Sequence, residues 1–131
     1  MREILFRGKR LDNGDWVYGY YVHIGPVSCQ RAYIIPEYAS SLYVNEVDPS
    51  TVGQYTGLKD KNGKRIFEGD VAKVLQGKDK DIAYVGFENG AFMLYPKTGN
   101  IYERNLWSYW YNDWDVEVIG NITGTPELLE K

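Results

Sequence analysis

The chain has one cysteine, Cys29, and one histidine, His23, in 131 residues. A lone cysteine cannot close a disulfide within the chain, and it fits a reducing compartment. One sulfur and one imidazole also fall short of the three or four ligands that catalytic or structural zinc requires, so no metal is expected. A nucleophilic triad would have to pass through His23, with Ser28 or Cys29 as partner. Nothing around them resembles a nucleophile elbow. Neither Gly-x-x-x-x-Gly-Lys-Ser/Thr nor Gly-x-Gly-x-x-Gly occurs, so no nucleotide cofactor is expected, and none of another kind. No apolar run approaches the roughly 20 residues that cross a bilayer as a helix, and the N-terminus lacks a signal-like stretch. The expectation is a soluble, cytoplasmic protein without a membrane partner. Positive charge is also short: 15 Lys and Arg against 18 Asp and Glu give a net charge of -3. That balance argues against a generally nucleic-acid-binding surface.

Aromatics are plentiful, with 12 Tyr and 4 Trp. Such rings, mixed with β-branched residues and frequent Gly turns, favour strands. Ile4 to Phe6, Trp16 to Val22, Ala32 to Ile35, Val52 to Leu58, Ile66 to Val74, Ile82 to Phe87, Ala91 to Tyr95 and Val116 to Ile122 read as strands, with Ser40 to Val47 a weaker one. In the second, alternation puts Trp16, Tyr18 and Tyr20 on one face and Val17, Gly19 and Tyr21 on the other. Asn13-Gly14, Asn62-Gly63 and Asn89-Gly90 mark turns, and a type I′ geometry is expected at Asn62-Gly63. Gln76 to Asp81 reads as a polar loop tip. Asn105 to Trp114 is the best helix, with Asn105 as its cap. Thr125-Pro126-Glu127 opens a last short turn. The fold class is mainly β (β-rich α+β), built from antiparallel hairpins with one short aromatic helix. Ile66 to Ile122 should tend to a small SH3-like barrel. No linker divides the chain, so 1–131 reads as a single domain that allows two lobes, 1–50 and 51–131.

The central block Gln54-Tyr55-Thr56-Gly57-Leu58-Lys59-Asp60-Lys61-Asn62-Gly63-Lys64, followed by Phe67-Glu68-Gly69-Asp70, closely resembles the YopX family. Arg2 to Gly8 resembles the family's opening, Trp16-Val17-Tyr18-Gly19 its next landmark, and Glu117 to Ile122 with Pro126 to Leu129 its close. The resemblance spans the chain in order. It implies a mostly β protein carried by phages or prophages, hence a bacterial host cytoplasm. It brings no catalytic residues to carry over.

Two stretches then stand out as binding candidates. Lys59, Lys61, Lys64 and Arg65 crowd the central turn, a basic spot in an acidic chain. It suits phosphate or an acidic partner, and equally a solvated hairpin tip. Trp107, Trp110, Tyr111 and Trp114 cannot all point to one face of a short helix. The surplus rings suit a partner surface, with self-association the preferred use. Glu68 and Asp70 are a carboxylate pair that could serve a hydrolase, although Gly69 between them favours a bend. The expected function is therefore an accessory protein, most simply a non-enzymatic, oligomeric protein-binding module. Its partners would be further copies of itself and a host or phage protein, with nucleic-acid binding and hydrolysis as alternatives.

Overall fold

The computed structural model describes residues 2–26, 31–37 and 44–130. Among these residues ten strands, one short helix and 3-10 turns at Pro49–Thr51 and Pro126–Leu129 make up the regular structure. The chain divides into two compact units, Met1–Tyr55 and Thr56–Lys131. The expected strand-rich, antiparallel architecture with one short aromatic helix is what forms.

The first unit holds β1 (Phe6–Lys9), β2 (Trp16–Ile24), β3 (Arg31–Pro36), β4 (Asn45–Val47) and the start of β5 (Gly53–Lys59), ordered β4-β3-β2-β1-β5. Alternation in β2 sorts the rings as the sequence implies. Val17 and Gly19 are buried, while Tyr18 and Tyr20 face outward. Val17, Ala32, Ile34 and Val47 form the core, with Phe6, Tyr21 and Val52 packed on it. Arg7 lies 4.9 Å over the Trp16 ring, a cation–π contact on the other face. The first strand starts at Phe6, later than its apolar run suggests; Leu5 just ahead of it is buried, and its carbonyl accepts from Tyr55 N at 2.7 Å. Ser40 to Tyr43 of the weaker strand, like Ser28 and Cys29, lie outside the described residues.

In the second unit β5 runs on beside β6 (Arg65–Phe67). A four-stranded sheet follows, ordered β10-β7-β8-β9, from β7 (Asp70–Gln76), β8 (Asp79–Glu88), β9 (Ala91–Pro96) and β10 (Asp115–Asn121). The stretch from Ile66 to Val74 bends at Glu68-Gly69, as Gly69 implies, with Gly69 at φ +93°, and so forms two strands. Among the described residues the pairing runs from β10 on one side to β9 on the other, and no closed barrel is formed by it. One face carries Ala72, Val74, Ala83, Val85, Leu94 and Val116. The helix α1 (Leu106–Tyr111) contributes Leu106 and Tyr109 to the same core.

Two turns differ from what their residues suggest. Asn62 does not take positive φ; only Gly63 does, at +80°. The Asp60 carbonyl accepts from Gly63 N at 3.0 Å, and Asp60 N donates to Lys64 O at 2.7 Å. That pattern is the three-residue hairpin with a left-handed glycine, not the two-residue type I′ turn. The Gln76–Asp81 tip also differs. It narrows to Gly77-Lys78, because β7 and β8 pair as far as Gln76 with Asp79. Gln76 and Asp81 turn inward and hold the following loop: Gln76 Oε1 accepts from Tyr102 N, and the Asp81 carboxylate from the N–H groups of Ile82, Thr98 and Asn100.

Gly19 tests the first sheet. A Cβ there would strike the Ile35 carbonyl oxygen on the neighbouring strand. Backbone cannot yield as a flexible side chain does, so Gly19→Ala should cost about 1–3 kcal/mol, read as a lowered urea midpoint.

Candidate functional site

The second unit contains a cleft of about 210 Å³ between α1 and the β5–β6 hairpin. Its floor is Leu58, Ile66, Leu106 and Val116, core side chains of four elements. Lys59, Asp60 and Lys61 come from the hairpin; Tyr109, Trp110, Asp113, Trp114 and Asp115 come from the helix, its end and the first residue of β10. The two stretches singled out in the sequence thus meet, through Lys59 and Lys61 on one element and Trp110 and Trp114 on the other. Lys64 and Arg65 lie further along the hairpin and do not line the cleft. Trp107 and Tyr111 stack on each other at 5.1 Å on the outer side of the helix.

The hairpin is held in place by Asp60, which is only 7% exposed. Its Oδ1 accepts from Asn62 N and Lys64 N, both at 2.9 Å, and its Oδ2 accepts from Val118 N at 3.0 Å. The first two bonds shape the turn, and the third ties it to β10. Lys61 N adds a 3.0 Å bond to Val116 O. Burial opposes the charge on Asp60, but the three N–H donors and nearby Lys64 outweigh it and hold the carboxyl below its ordinary range. The tip is therefore docked on the sheet rather than merely solvated. Lys61 also reaches Glu117 at 3.7 Å, a partly exposed pair worth less than about 1 kcal/mol.

The helix is six residues long, and its caps explain how it holds its rings. Asn105 Oδ1 accepts from Trp107 N at 3.0 Å, the cap the sequence suggests. At the other end Trp114 N bonds Tyr109 O at 3.0 Å, and Asp113 takes φ +58°. This is a Schellman-type end with aspartate where glycine is usual. It swings the Trp114 ring edge-on to Tyr109 at 5.3 Å, completing the apolar contact such an end prefers. The Tyr109 hydroxyl donates to Glu103 O at 2.9 Å, and burial, then the Glu103 charge, push its phenol pKa up, so it stays a neutral donor.

With Leu106 and Tyr109 turned to the core, Trp107, Trp110 and Tyr111 are left 55%, 66% and 68% exposed. Sequence reasoning missed Asp113 and Asp115. Among the described residues neither makes an ion pair or a side-chain hydrogen bond, and Lys59 makes no ion pair. The carboxylate pair considered for hydrolysis is arranged as a bend: Asp70 is 2% exposed, and its Oδ2 accepts from Phe67 N at 2.8 Å. His23 is exposed on β2. No group of three or more His, Cys, Asp or Glu able to hold a metal is found among the described residues, nor a helix long and apolar enough to cross a membrane.

These features define a mainly β protein of two antiparallel sheets with a short aromatic helix beside a cleft. The family model described as YopX protein matches residues 5–130, and the chain belongs to the YopX family. Its fold is similar to that in the crystal structure of protein EF1440 from Enterococcus faecalis, at a TM-score of 0.60 and 22% identity, over 99% of this chain and 100% of that one. No curated protein matches the chain.

Asp60 supplies the test of this geometry. Asp60→Ala strands three N–H groups and should cost about 1–3 kcal/mol by chemical denaturation. Because the folded pKa is lowered, the carboxylate's contribution is complete above its unfolded value near 4 and fades as pH falls through the folded one. Asp60→Asn should therefore flatten the loss of stability below about pH 4 relative to wild type.

Proposed function

We propose that this protein is a non-enzymatic accessory protein of a phage or prophage, an oligomeric protein-binding module whose contact surface is the outer side of α1 and the adjoining cleft. The observation that supports this most is the outward set Trp107, Trp110 and Tyr111 on a helix whose other side is buried. Three large rings on one short surface helix are costly to leave in water, and tryptophan and tyrosine are the residues that anchor protein interfaces. The occupants in this reading are a second copy of the chain and a host or phage protein. Cytoplasmic action in the bacterial host goes with it.

A second reading, nucleic-acid binding, gains support from Lys59 and Lys61 sharing the cleft with Trp110 and Trp114. Single-strand binders combine a basic groove with stacking rings. Here Asp113 and Asp115 line the same cleft and would repel phosphate, which favours the protein-binding reading. The hydrolase alternative gains nothing comparable, with Asp70 buried against local backbone.

Size-exclusion with light scattering decides between them. The wild type should be oligomeric at micromolar concentration. Trp107→Ala with Trp110→Ala should weaken association about thirtyfold or more while circular dichroism stays unchanged. A strict monomer in the wild type, or an oligomer indifferent to both substitutions, would sink the proposal. Salt-sensitive shifts of single-stranded DNA or RNA in a gel would instead support the second reading.

A further inference from the structure

Three Asn-Gly pairs stand in turns: Asn13-Gly14, Asn62-Gly63 and Asn89-Gly90. All are exposed, so access to water does not separate them. Their hydrogen bonds do. Gly14 N donates to Arg10 O at 3.0 Å, and Asn13 Oδ1 accepts from Asp15 N at 2.9 Å. Gly63 N donates to Asp60 O at 3.0 Å, and Asn62 Nδ2 donates to Glu117 Oε2 at 3.4 Å. Among the described residues neither Gly90 N nor the Asn89 side-chain amide makes a hydrogen bond. Asn89 at φ +52° and Gly90 at φ +81° form a two-residue turn between the paired Glu88 and Ala91. Apart from its chain neighbours, no atom lies within 4 Å of the position a Gly90 Cβ would take.

We propose that Asn89-Gly90 is a self-modification site, at which the β8–β9 hairpin turns from neutral to anionic by deamidation, with water as the co-reactant. Hydroxide takes the proton from Gly90 N, and the nitrogen's electron pair forms a bond to Asn89 Cγ. The Cγ–Nδ2 bond breaks, and Nδ2 takes a proton from water and leaves as ammonia. Water then opens the five-membered imide. Attack at Cγ gives aspartate, and attack at the Asn89 backbone carbonyl carbon gives isoaspartate, whose chain runs through Cβ. No atom is oxidised or reduced. Glycine leaves the attacking nitrogen uncrowded. A donated N–H must open before it can lose its proton, which holds back Gly14 and Gly63 but not Gly90. Either product places a new charge beside Glu88, whose carboxylate accepts from the Tyr95 hydroxyl at 3.0 Å. Isoaspartate also lengthens the backbone of a very short turn. The hairpin tip does not line the cleft, so the site is independent of the binding reading.

Peptide mapping by mass spectrometry tests the assignment on the wild-type chain, held in mildly alkaline buffer both folded and unfolded in guanidinium chloride. Dividing each site's folded rate by its unfolded rate cancels the influence of sequence neighbours and leaves that of structure. The quotient should be at least about fivefold larger at Asn89 than at Asn13 or Asn62, the factor that one net hydrogen bond is worth. Ion exchange of the aged folded protein should show a matching acidic species. Asn89→Gly keeps a Gly-Gly turn of the same type and should abolish that species. A smaller advantage for Asn89, an Asn89 that stays intact in the folded protein while the unfolded chain converts, or an acidic species that persists in Asn89→Gly would overturn the assignment.

Discussion

The Asp60 carboxylate holds the second unit's cleft in shape. Its three acceptor bonds do two separate jobs with one side chain. Asn62 N and Lys64 N bend the chain into a hairpin tip, and Val118 N binds that tip to the sheet. Lys61 N to Val116 O doubles the attachment. Without them, Lys59 and Lys61 would sit on a free tip and could not border α1. An ionised carboxylate is costly to bury, and here fixed N–H donors at about 3 Å offset that cost. The tip's one acid, flanked by lysines, therefore governs its position.

The helix obeys a related constraint. Six residues are too few to be stable on propensity alone. Leu106 and Tyr109 anchor it to the sheet, Asn105 closes its first turn, and the Asp113–Trp114 end closes its last. Those anchors also fix which rings remain outside. At helical spacing, Tyr109 inward forces Trp107, Trp110 and Tyr111 away from the core. The exposed surface is thus a geometric consequence of what the core takes. Its rings are those least suited to contact with water alone.

Much of this was legible in the residues, and the gaps have identifiable causes. Period-two alternation placed the strands, because a half-buried sheet imposes it locally. Asn105 before an aromatic run announced the helix, since capping is also local. The hairpin at Asn62-Gly63 misled, because an Asx bond from Asp60 chose a longer turn than the dipeptide prefers. Gln76 and Asp81 misled for the opposite reason. Polar side chains near a turn usually face water, but these two supply acceptors to a loop about twenty residues downstream.

The binding candidates show the same limit more sharply. Two stretches more than forty residues apart were each noticed for chemistry of their own, one basic and one aromatic. Their meeting could not be read from either, because it depends on the Asp60 bond to Val118, 58 residues away in sequence. That bond also alters what the lysines mean. Apart from their surroundings, they suggest a phosphate contact. Lys59 and Lys61 instead share a cleft with Asp113 and Asp115, whose carboxylates oppose the approach of another anion. The charge on the tip therefore argues less for nucleic acid than its composition implies.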